Sequence, residues 1–402
     1  MPPVTSADTA GSPPAVPVPL IEISGAPRER GRAYGESARE QVDLSVAYYQ
    51  EAFAASSGLG WADVLAAAAQ WRPVVAAAAP HLLEEMDGIA EGAGRRPEEI
   101  LALNARGEIV RSADSAFGAA PRPAAAGETD GCSSFALLPE ATASGHVYCG
   151  QNWDWREATE ATVVMLRVVQ PPKPTVIMQV EAGQVGRHGV NSTGLALNAN
   201  GLDGAFGTPA GLPQPVLRRL ILDSATFTDA LSVPFDVRQH IATNLLLTHR
   251  DGIAVDLETT PQTHTWGYAV DGVLVHGNHY QYGIPPALAA SYRISSPDSL
   301  FRVPLIERGL RAARSAETPD AVRKLVRETM SDHFSFPKGV CAHVGPDQSP
   351  VRRSKTTMSS LVDLTAGEYW VIRGNPCESD YSLLPWDVYD GPSGPAQPGP
   401  AR

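Results

Sequence analysis

The chain has 402 residues, of which 43% are hydrophobic and 19% charged, a composition typical of a soluble globular protein with one large or two ordinary domains. A net charge of −12 and the lack of any Lys/Arg run argue against nucleic-acid binding. No stretch approaches the roughly 20 apolar residues of a transmembrane helix, and residues 1–19 lack the basic start and apolar core of a signal peptide. We therefore expect a cytoplasmic protein without a membrane partner.

The first third of the sequence predicts a mainly helical region. Residues 1–19 are rich in Pro, Ala and Ser and are expected to form a disordered lead. A short strand follows at residues 20–24, and helical patterns then cover 28–54, 61–70, 80–92 and a segment that starts at Pro97. Residues 113–128 are rich in Ala, Pro and Gly and are typical of a linker at a domain boundary.

Beyond the linker the pattern changes to strands that alternate with helices. Strand patterns occupy 132–154, 161–169, 175–180, 189–200, 243–259, 264–278 and 356–373, and helical patterns occupy 215–224, 228–233, 299–315 and 319–333. Hairpin turns are indicated at Asp251-Gly252, Asp271-Gly272 and Ala366-Gly367. Hairpin connections favour an α+β fold with antiparallel sheets covered by helices over a doubly wound parallel sheet. The Pro/Gly tail from residue 391 is expected to be loose.

The segment 127–155 predicts a β-hairpin with a reactive end. Its turn centre falls near Thr142, and residues equidistant from a turn lie opposite one another in an antiparallel pair. Cys132 should therefore lie beside the segment Asn152 to Asp154. A thiol, an amide and a carboxylate that converge in this way indicate an active site more than a packing contact.

Cys132 follows Gly131, and this junction suggests self-cleavage. A lone cysteine is more often a buried small residue than a nucleophile, but here a flexible loop precedes it and a strand follows it. If the thiol attacks the Gly131 carbonyl, an N-to-S acyl shift and hydrolysis free Cys132 as a new N-terminus. Its α-amino group, with an ordinary pKa of about 7.7 to 8.0, can then act as the base for its own thiol.

The other cysteines and the histidines carry simpler predictions. Cys149, Cys341 and Cys377 are far apart and include no CxxC pair, so neither a zinc cluster nor a dense disulfide framework is predicted, and these thiols are expected to be reduced and structural. No carboxylate or cysteine joins His276 and His279 at a recognisable metal spacing, which favours structural histidines and no metal cofactor.

Two motifs around the proposed nucleophile carry a resemblance to a known family. Asp130-Gly-Cys-Ser-Ser and Gly150-Gln-Asn-Trp-Asp154 resemble the acyl-coenzyme A:6-aminopenicillanate (isopenicillin N) acyltransferase family. Its members are autoprocessed N-terminal-nucleophile enzymes and include the β-alanyl-dopamine hydrolase of insects. Further similar segments are 85–94, 103–109, 189–198, 276–279 and 374–377.

The resemblance implies a fold and a processing site. The fold is an αββα N-terminal-nucleophile hydrolase sandwich. Cleavage between Gly131 and Cys132 would give a small, mainly helical subunit at 20–131, preceded by the lead, and a strand-rich large subunit at 132–402. The two would remain partners in one domain.

The resemblance also implies roles for individual residues. Cys132 is the nucleophile, Asn278 an oxyanion-hole donor and Asp154 a support of the active site. Arg353 is a further polar member, with Arg352 and Lys355 as alternatives in the same run. Trp153 and Trp155 are equally compatible with core packing and with the wall of a substrate pocket.

The resulting functional hypothesis is an autoproteolytic cysteine amidohydrolase or acyltransferase. It forms a thioester on Cys132 from an N-acyl amide or peptide-like small molecule and passes the acyl group to water or to an amine. The sequence shows no Gly-rich phosphate cradle, which favours hydrolysis. Two alternatives remain: an acyl-coenzyme A-dependent N-acyltransferase of secondary metabolism, with the coenzyme A thioester as substrate, and a non-catalytic binding protein.

Overall fold

The computed structural model of the chain describes residues 16–116, 131–206 and 209–390. The first 15 residues of the expected lead, the tail from residue 391 and most of the segment 113–128 lie outside these ranges. The four residues 113–116 do not form a linker, because their backbone continues a helix that begins at Arg106.

Helices dominate the first part of the chain, as the sequence predicts, and recur in its second half. They are α1 (Pro27–Ser37), α2 (Arg39–Ser57), α3 (Trp61–Ala68), α4 (Arg72–Ala78), α5 (Pro80–Ala93), α6 (Pro97–Asn104), α7 (Arg106–Ala116), α8 (Gln214–Leu222), α9 (Phe227–Asp236), α10 (Ser299–Leu310) and α11 (Pro319–Met330). Among the described residues no single helix meets the length and hydropathy of a membrane span, although α2 together with the segment Trp61–Ala78, bent by 99°, does so as a pair.

The strands form two sheets. They are β1 (Leu20–Ser24), β2 (Gly131–Leu137), β3 (Tyr148–Arg156), β4 (Val163–Val169), β5 (Val176–Glu181), β6 (His188–Asn191), β7 (Leu195–Gly201), β8 (Thr243–His249), β9 (Ile253–Thr259), β10 (His264–Tyr268), β11 (Val273–His276), β12 (Ser354–Asp363), β13 (Glu368–Arg373) and β14 (Ser382–Leu383). The eight-stranded sheet has the order β1-β4-β5-β6-β7-β8-β9-β10, and the six-stranded sheet has the order β11-β2-β3-β12-β13-β14. All the pairs are antiparallel except β1 with β4.

The two sheets stack face to face with helices on both outer surfaces. Apolar side chains of both sheets, such as Trp153 and Ile177, share one buried cluster between them. A second cluster joins the outer face of the eight-stranded sheet to helices α1 to α9, and a third joins the outer face of the six-stranded sheet to α10 and α11. This is the helix–sheet–sheet–helix sandwich of the α+β class that the sequence analysis expects.

The hairpin of β2 and β3 has the predicted register. Cys132 lies opposite Trp153 and Gly131 lies opposite Asp154, so the midpoint of the pairing falls beside Thr142. The placement of Cys132 next to the Asn152 to Asp154 segment is thereby confirmed.

The predicted hairpin at 264–278 is wrong in its pairing. Asp271 and Gly272 do adopt the left-handed conformation of a tight turn, at φ 54° and 77°. However, β10 pairs with β9 in one sheet, whereas β11 pairs with β2 in the other. Longer-range pairing therefore overrides the turn signal, and the chain crosses between sheets just before Asn278.

The helical pattern predicted at 28–54 is two helices, α1 and α2, and α1 crosses α5 at very short range. A Cβ atom at Gly31 would lie 2.1 Å from the Glu85 carbonyl oxygen, and one at Gly88 would lie 2.2 Å from that of Arg28. Only glycine permits this approach. The glycines of the segment 85–94 thus have a packing role.

Candidate active site

The backbone of Cys132 is held at both ends by side chains from distant segments. The residue is fully buried as the second residue of β2. Its N–H donates to Asn278 Oδ1 at 2.8 Å, and its carbonyl oxygen accepts from Asn200 Nδ2 and Arg302 Nη1, each at 2.8 Å. Three buried polar side chains therefore fix the backbone of one residue on both sides, an arrangement that apolar packing alone does not require.

The side chain of Asn278 has a defined orientation. Its Oδ1 atom also accepts from Arg302 Nη2 at 2.8 Å, while its Nδ2 donates to the Gly201 carbonyl at 3.1 Å. Its backbone N–H donates to Ser299 Oγ at 2.6 Å. In the uncleaved chain Asn278 thus presents an acceptor to the nitrogen of Cys132, and its role as oxyanion donor stays a prediction.

Asp154 lies against the residue before the proposed nucleophile. A Cβ atom at Gly131 would lie 3.1 Å from the Asp154 Cβ and 3.2 Å from its Oδ2, so glycine allows the carboxyl group to reach the main chain there. Asp154 Oδ1 accepts from Thr356 Oγ1 at 2.5 Å. Burial raises the pKa of Asp154 to about 7, against the opposing effects of Arg302 and the hydrogen bond from Thr356.

Arg302 is the central residue that the sequence analysis missed. It is fully buried on α10, and besides Cys132 and Asn278 it contacts Ser133 Oγ through Nη1 at 2.8 Å and Asp298 Oδ2 through Nε at 2.8 Å. A guanidinium with five donors suits such a multiple contact. In the sequence, Arg302 is one of several arginines on a helix without a motif, so no signal pointed to it.

Asn200 was also missed, although it stands two residues after Asn198 on β7. It is fully buried, and its Nδ2 donates to the His276 carbonyl at 3.2 Å as well as to Cys132. Its Oδ1 accepts from Ser134 Oγ at 2.6 Å. The alternation of asparagines at the end of a strand was the available signal.

Arg353, in contrast, does not take part in the described contacts of Cys132. Its side chain is 48% exposed and pairs with Glu157 at 3.8 Å, beyond the end of β12 that faces Asp154. Lys355 pairs with Glu160 at 2.7 Å. Arg352 lines the cavity described below. The buried arginine beside Cys132 is supplied by α10 and not by this run.

The two histidines near Asn278 have ordinary side-chain partners. His276 Nε2 contacts Glu258 Oε1 at 3.0 Å. Burial lowers its pKa, but Asp256 and Glu258 outweigh that effect and the pKa is raised overall. His279 Nδ1 contacts Ser299 Oγ at 2.7 Å, and burial lowers its pKa to about 4. These contacts agree with the structural roles that the sequence predicts.

A cavity of about 200 Å³ opens beside this cluster. Its lining includes Gly201, whose carbonyl accepts a hydrogen bond from Asn278 Nδ2. Its described lining is rich in cations and aromatic rings: Arg106, Arg111, Arg156, Arg187, Arg218, Arg352, Tyr48, Tyr49 and Trp155. The acidic group in that lining is Glu108, whose pKa burial raises to about 7.

The two tryptophans of the hairpin have different surroundings. Trp155 lines the cavity, and its Nε1 donates to Tyr49 OH at 3.0 Å. Trp153 is fully buried opposite Cys132, and the Arg187 guanidinium lies 3.7 Å from its ring centroid. Trp155 is therefore placed as a pocket wall, and Trp153 links a cavity arginine to the strand pair that bears Cys132.

The stacked sheets between helical layers, with a glycine and a cysteine opening an inner strand, define the N-terminal-nucleophile hydrolase type of fold. Residues 141–378 match the sequence profile of the family described as acyl-coenzyme A:6-aminopenicillanic acid acyl-transferase, which is more than half of the chain. The chain belongs to this family.

The chain is also similar to individual proteins of known name or structure. The acyl-coenzyme A:6-aminopenicillanic-acid-acyltransferase 40 kDa form of Emericella nidulans is 26% identical over 373 residues, which cover 90% of this chain and 95% of the relative. Among solved structures, penicillin V acylase from Agrobacterium tumefaciens has a TM-score of 0.43 and 15% identity over 66% of this chain and 88% of its own. A mutant of conjugated bile acid hydrolase from Clostridium perfringens has a TM-score of 0.38 and 12% identity over 65% of this chain and 94% of its own.

Proposed function

We propose that the chain cuts itself between Gly131 and Cys132 and then acts as a cysteine amidohydrolase on an N-acyl amide. The observation that carries the proposal is the clamp on Cys132, formed by Asn278 at its nitrogen and by Asn200 and Arg302 at its carbonyl. A clamp on both sides of one residue is expected where the peptide nitrogen must keep its place after its bond to Gly131 is broken.

The cleavage proceeds in two steps. The Cys132 sulfur attacks the Gly131 carbonyl carbon, the bond from that carbon to the Cys132 nitrogen breaks, and the nitrogen takes up the proton that the thiol gives up. Water then hydrolyses the resulting thioester, which leaves a carboxylate on Gly131 and a free thiol on Cys132. Asp154, next to Gly131 and with a pKa of about 7, is the described group suited to accept the thiol proton at the start.

The released α-amino group stays beside the thiol. The Asn278 Oδ1 atom, already 2.8 Å from the Cys132 nitrogen, can accept a hydrogen bond from the amine and keep it in place. An α-amine with an ordinary pKa of about 7.7 to 8.0 serves as base for the thiol, which attacks the substrate carbonyl. The leaving amine departs with a proton, and water or a second amine takes the acyl group from the sulfur.

The lining of the cavity supports a substrate that carries negative charge. Six arginines and one glutamate with a raised pKa line it among the described residues. Arg106 and Arg187 pair with Glu181 and Arg111 pairs with Asp203, but the arginines remain in excess, which favours a carboxylate or phosphate on the substrate. The aromatic lining, Tyr48, Tyr49 and Trp155, accommodates an apolar acyl group. The substrate class is thus an N-acyl amide or peptide-like small molecule with an acidic group, and hydrolysis in the cytoplasm is the favoured reaction.

A second candidate is transfer from an acyl-coenzyme A thioester to an amine. The arginine lining also suits the phosphates of coenzyme A, and the Emericella nidulans relative is named for such a donor. The two functions differ in what reaches the thioester first. Release of free acid from an N-acyl amine in the absence of an acceptor supports hydrolysis, whereas product formation that needs both an acyl-coenzyme A and an amine supports transfer.

Intact mass spectrometry of the full-length protein tests self-cleavage. The wild-type chain should give two fragments that separate before Cys132, and the Cys132→Ala variant should stay whole and inactive because it has no nucleophile. The matched control is Cys149→Ala, which removes another buried thiol from the same hairpin and should be cleaved normally.

A single uncleaved species with full activity would contradict the cleavage step. Labelling with an electrophilic thiol reagent separates an enzyme from a binding protein on the same fold. A processed chain whose Cys132 is not labelled, and which turns over none of the acyl amides, would favour the binding protein.

A further inference from the structure

Four metal-preferring side chains converge where the loop after α11 meets the turn after β13. His333, Cys341 and His343 lie on the loop after α11, and Cys377 lies on the turn after β13. Their ligand atoms all lie within 4.8 Å of one another. This cluster is separate from Cys132, and its members are drawn from two segments about 35 positions apart in the chain.

Four distances within the cluster are close to the edges of a tetrahedron around one ion, and the two from the His333 ligand atom to the sulfurs are at most 4.8 Å. With metal bonds of about 2.3 Å to sulfur and 2.0 to 2.1 Å to nitrogen, a tetrahedral zinc site has edges of about 3.8 Å between sulfurs, 3.6 Å from sulfur to nitrogen and 3.3 Å between nitrogens. The observed Sγ atoms of Cys341 and Cys377 are 3.6 Å apart. His343 Nε2 lies 3.6 Å from Cys341 Sγ, 3.5 Å from Cys377 Sγ and 3.1 Å from His333 Nε2.

A disulfide does not account for this arrangement. The two sulfurs are 3.6 Å apart, and both cysteines are free thiols, whereas a disulfide bond is about 2.05 Å long. A disulfide would also leave unexplained why His343 Nε2 lies within 3.6 Å of both sulfurs and 3.1 Å from His333 Nε2.

We propose that His333, Cys341, His343 and Cys377 bind one Zn²⁺ ion. Two thiolates and two imidazoles form a Cys₂His₂ set, which selects zinc among the common divalent metals. All four positions are occupied by protein ligands, so the site is structural and leaves no position for substrate. Asn375 supports it from outside, since its Nδ2 donates to Cys341 Sγ at 3.2 Å, as expected for a group that stabilises a metal-bound thiolate.

A series of hydrogen bonds connects the zinc site to Asp154 in the candidate active site. Ala342, between two of the ligands, accepts from Asn375 Nδ2 at 2.7 Å and from Thr356 N at 2.9 Å, and donates to Thr356 Oγ1 at 2.9 Å. The same hydroxyl donates to Asp154. The ion therefore holds the loop that positions Asp154, and this consequence rests on the proposed self-cleavage, whereas the zinc site itself does not.

Metal analysis of the untagged full-length protein, purified without chelators, tests the site. Inductively coupled plasma mass spectrometry should find about one zinc per chain. Cys377→Ser should reduce the content to less than about one tenth, because it removes one of four ligands. The matched control Cys149→Ala, at a buried thiol away from the cluster, should keep the full content.

A second variant covers the case in which Cys377→Ser does not fold. His333 is the exposed ligand, so His333→Ala should fold and should lose zinc to a competing chelator at least about tenfold faster than the wild type. Cobalt in place of zinc should give the visible absorption of a tetrahedral thiolate site.

Three outcomes would overturn the zinc proposal. They are a protein that holds no zinc after incubation with Zn²⁺ and dialysis, a native Cys341–Cys377 disulfide in the mass spectrum, and variants that keep wild-type zinc content and release rate. Each is independent of cleavage before Cys132. Zinc loss with normal cleavage would retain the site and reject its link to Asp154.

Discussion

The two outer helical layers of the sandwich differ in how they are built and in what they touch. The layer on the eight-stranded sheet contains nine helices among the described residues, α1 to α9, and one large apolar cluster. The layer on the six-stranded sheet has only α10 and α11 in the same described ranges, with a smaller cluster. Yet the smaller layer supplies the arginine that contacts Cys132.

The larger layer is held by close packing and buried charge. Besides the glycine crossing of α1 and α5, Glu85 forms ion pairs with Arg30 at 2.5 Å and with Arg219 at 2.9 Å, and Arg219 pairs with Asp223 at 2.7 Å. Burial disfavours the charge of Arg219, but these acids outweigh it and its pKa is raised overall. Such a network is costly to break at one member. It ties a helix of the proposed small subunit to α8 of the large one, so the two pieces should stay together after cleavage.

The smaller layer packs on the sheet through an apolar cluster, but it places one buried arginine against the start of β2. Arg302 has four hydrogen-bonded partners, two of which, Cys132 and Ser133, lie at the start of β2. We therefore expect the larger layer to contribute more to stability and Arg302 of the smaller layer to contribute more to self-cleavage. Substitutions in the two layers should separate the free energy of unfolding from the rate of cleavage.

Replacing Arg302 should have the largest effect on chemistry. Arg302→Lys keeps the charge but loses the fork that binds Cys132 and Asn278 together, so self-cleavage should slow by on the order of 10²-fold. Time-resolved intact mass measures the rate, and circular dichroism checks the fold. Arg308→Lys, exposed on the same helix, is the control. Cleavage within twofold of the wild type would remove Arg302 from the machinery.

The Gly88→Ala variant should lower the free energy of unfolding and leave self-cleavage unchanged. The added methyl would lie 2.2 Å from a backbone oxygen of α1, which must move, and overpacking of this kind costs about 1 to 3 kcal/mol of unfolding free energy. Thermal and urea unfolding measure the loss, and Ala66→Ser, at an exposed position of α3, should change little. Folded Gly88→Ala protein should still cleave fully. A cleavage defect at a temperature where the variant is folded would contradict the division between layers.

Asp154 should make cleavage depend on pH. Because burial raises its pKa to about 7, Asp154 is protonated below that pH and becomes a base above it, so the cleavage rate should rise through pH 7. Asp154→Asn should remove this rise and slow cleavage at pH 8. The Asp363→Asn variant, at another buried acid of the same sheet, is a control that should retain the rise.

Raising the pH should reduce the contribution of Asp154 to stability, although it should increase the cleavage rate. With a folded pKa near 7 and an unfolded pKa of about 3.9, Asp154 contributes most below pH 4, and this contribution is lost as pH rises to 7. The melting temperature of Asp154→Asn relative to the wild type should therefore increase from pH 4 to pH 8. A difference that is constant with pH would show that the Asp154 carboxyl titrates normally.

The cavity arginines should have the smallest effect, and only on binding. Arg111 is partly exposed, so Arg111→Gln should raise KM for an acidic acyl amide about fivefold, which corresponds to ~1 kcal/mol, with kcat nearly unchanged. Steady-state kinetics with an acidic substrate and its neutral methyl ester tests this. An equal KM change for both substrates would argue against charge recognition.

Much of the fold was predictable because its signals are local. The β2–β3 register followed from the turn residues and from the periodicity on both sides of Thr142. The separation of β10 from β11 was not predictable, because a tight turn says nothing about which sheet each strand joins. All four residues of β11 are buried, because the strand pairs with β2 and packs against α10. These contacts, and not the turn, decide which sheet β11 joins.

The candidate site also contains residues that are predictable from local sequence and residues that are not. Cys132, Asp154 and Asn278 could be named from their motifs, whereas Arg302 comes from a helix that has no motif and meets Cys132 only through tertiary packing. The sequence does not predict the proposed zinc site, because its cysteines form no CxxC pair and its four side chains meet only in the folded chain. The local sequence pattern that favours metal binding is Cys341-Ala-His343, in which two metal-preferring residues lie two positions apart.

The contact between Gly131 and Asp154 has a consequence for the direction of the reaction. Hydrolysis at Gly131 would create a second carboxylate directly beside the Asp154 carboxyl group, in a buried place where two like charges repel strongly. Above pH 7, where Asp154 is ionised, this repulsion would favour departure of the new chain end and disfavour re-formation of the peptide bond. The carboxyl group of Asp154 beside the scissile bond would thus oppose the reverse of the proposed self-cleavage.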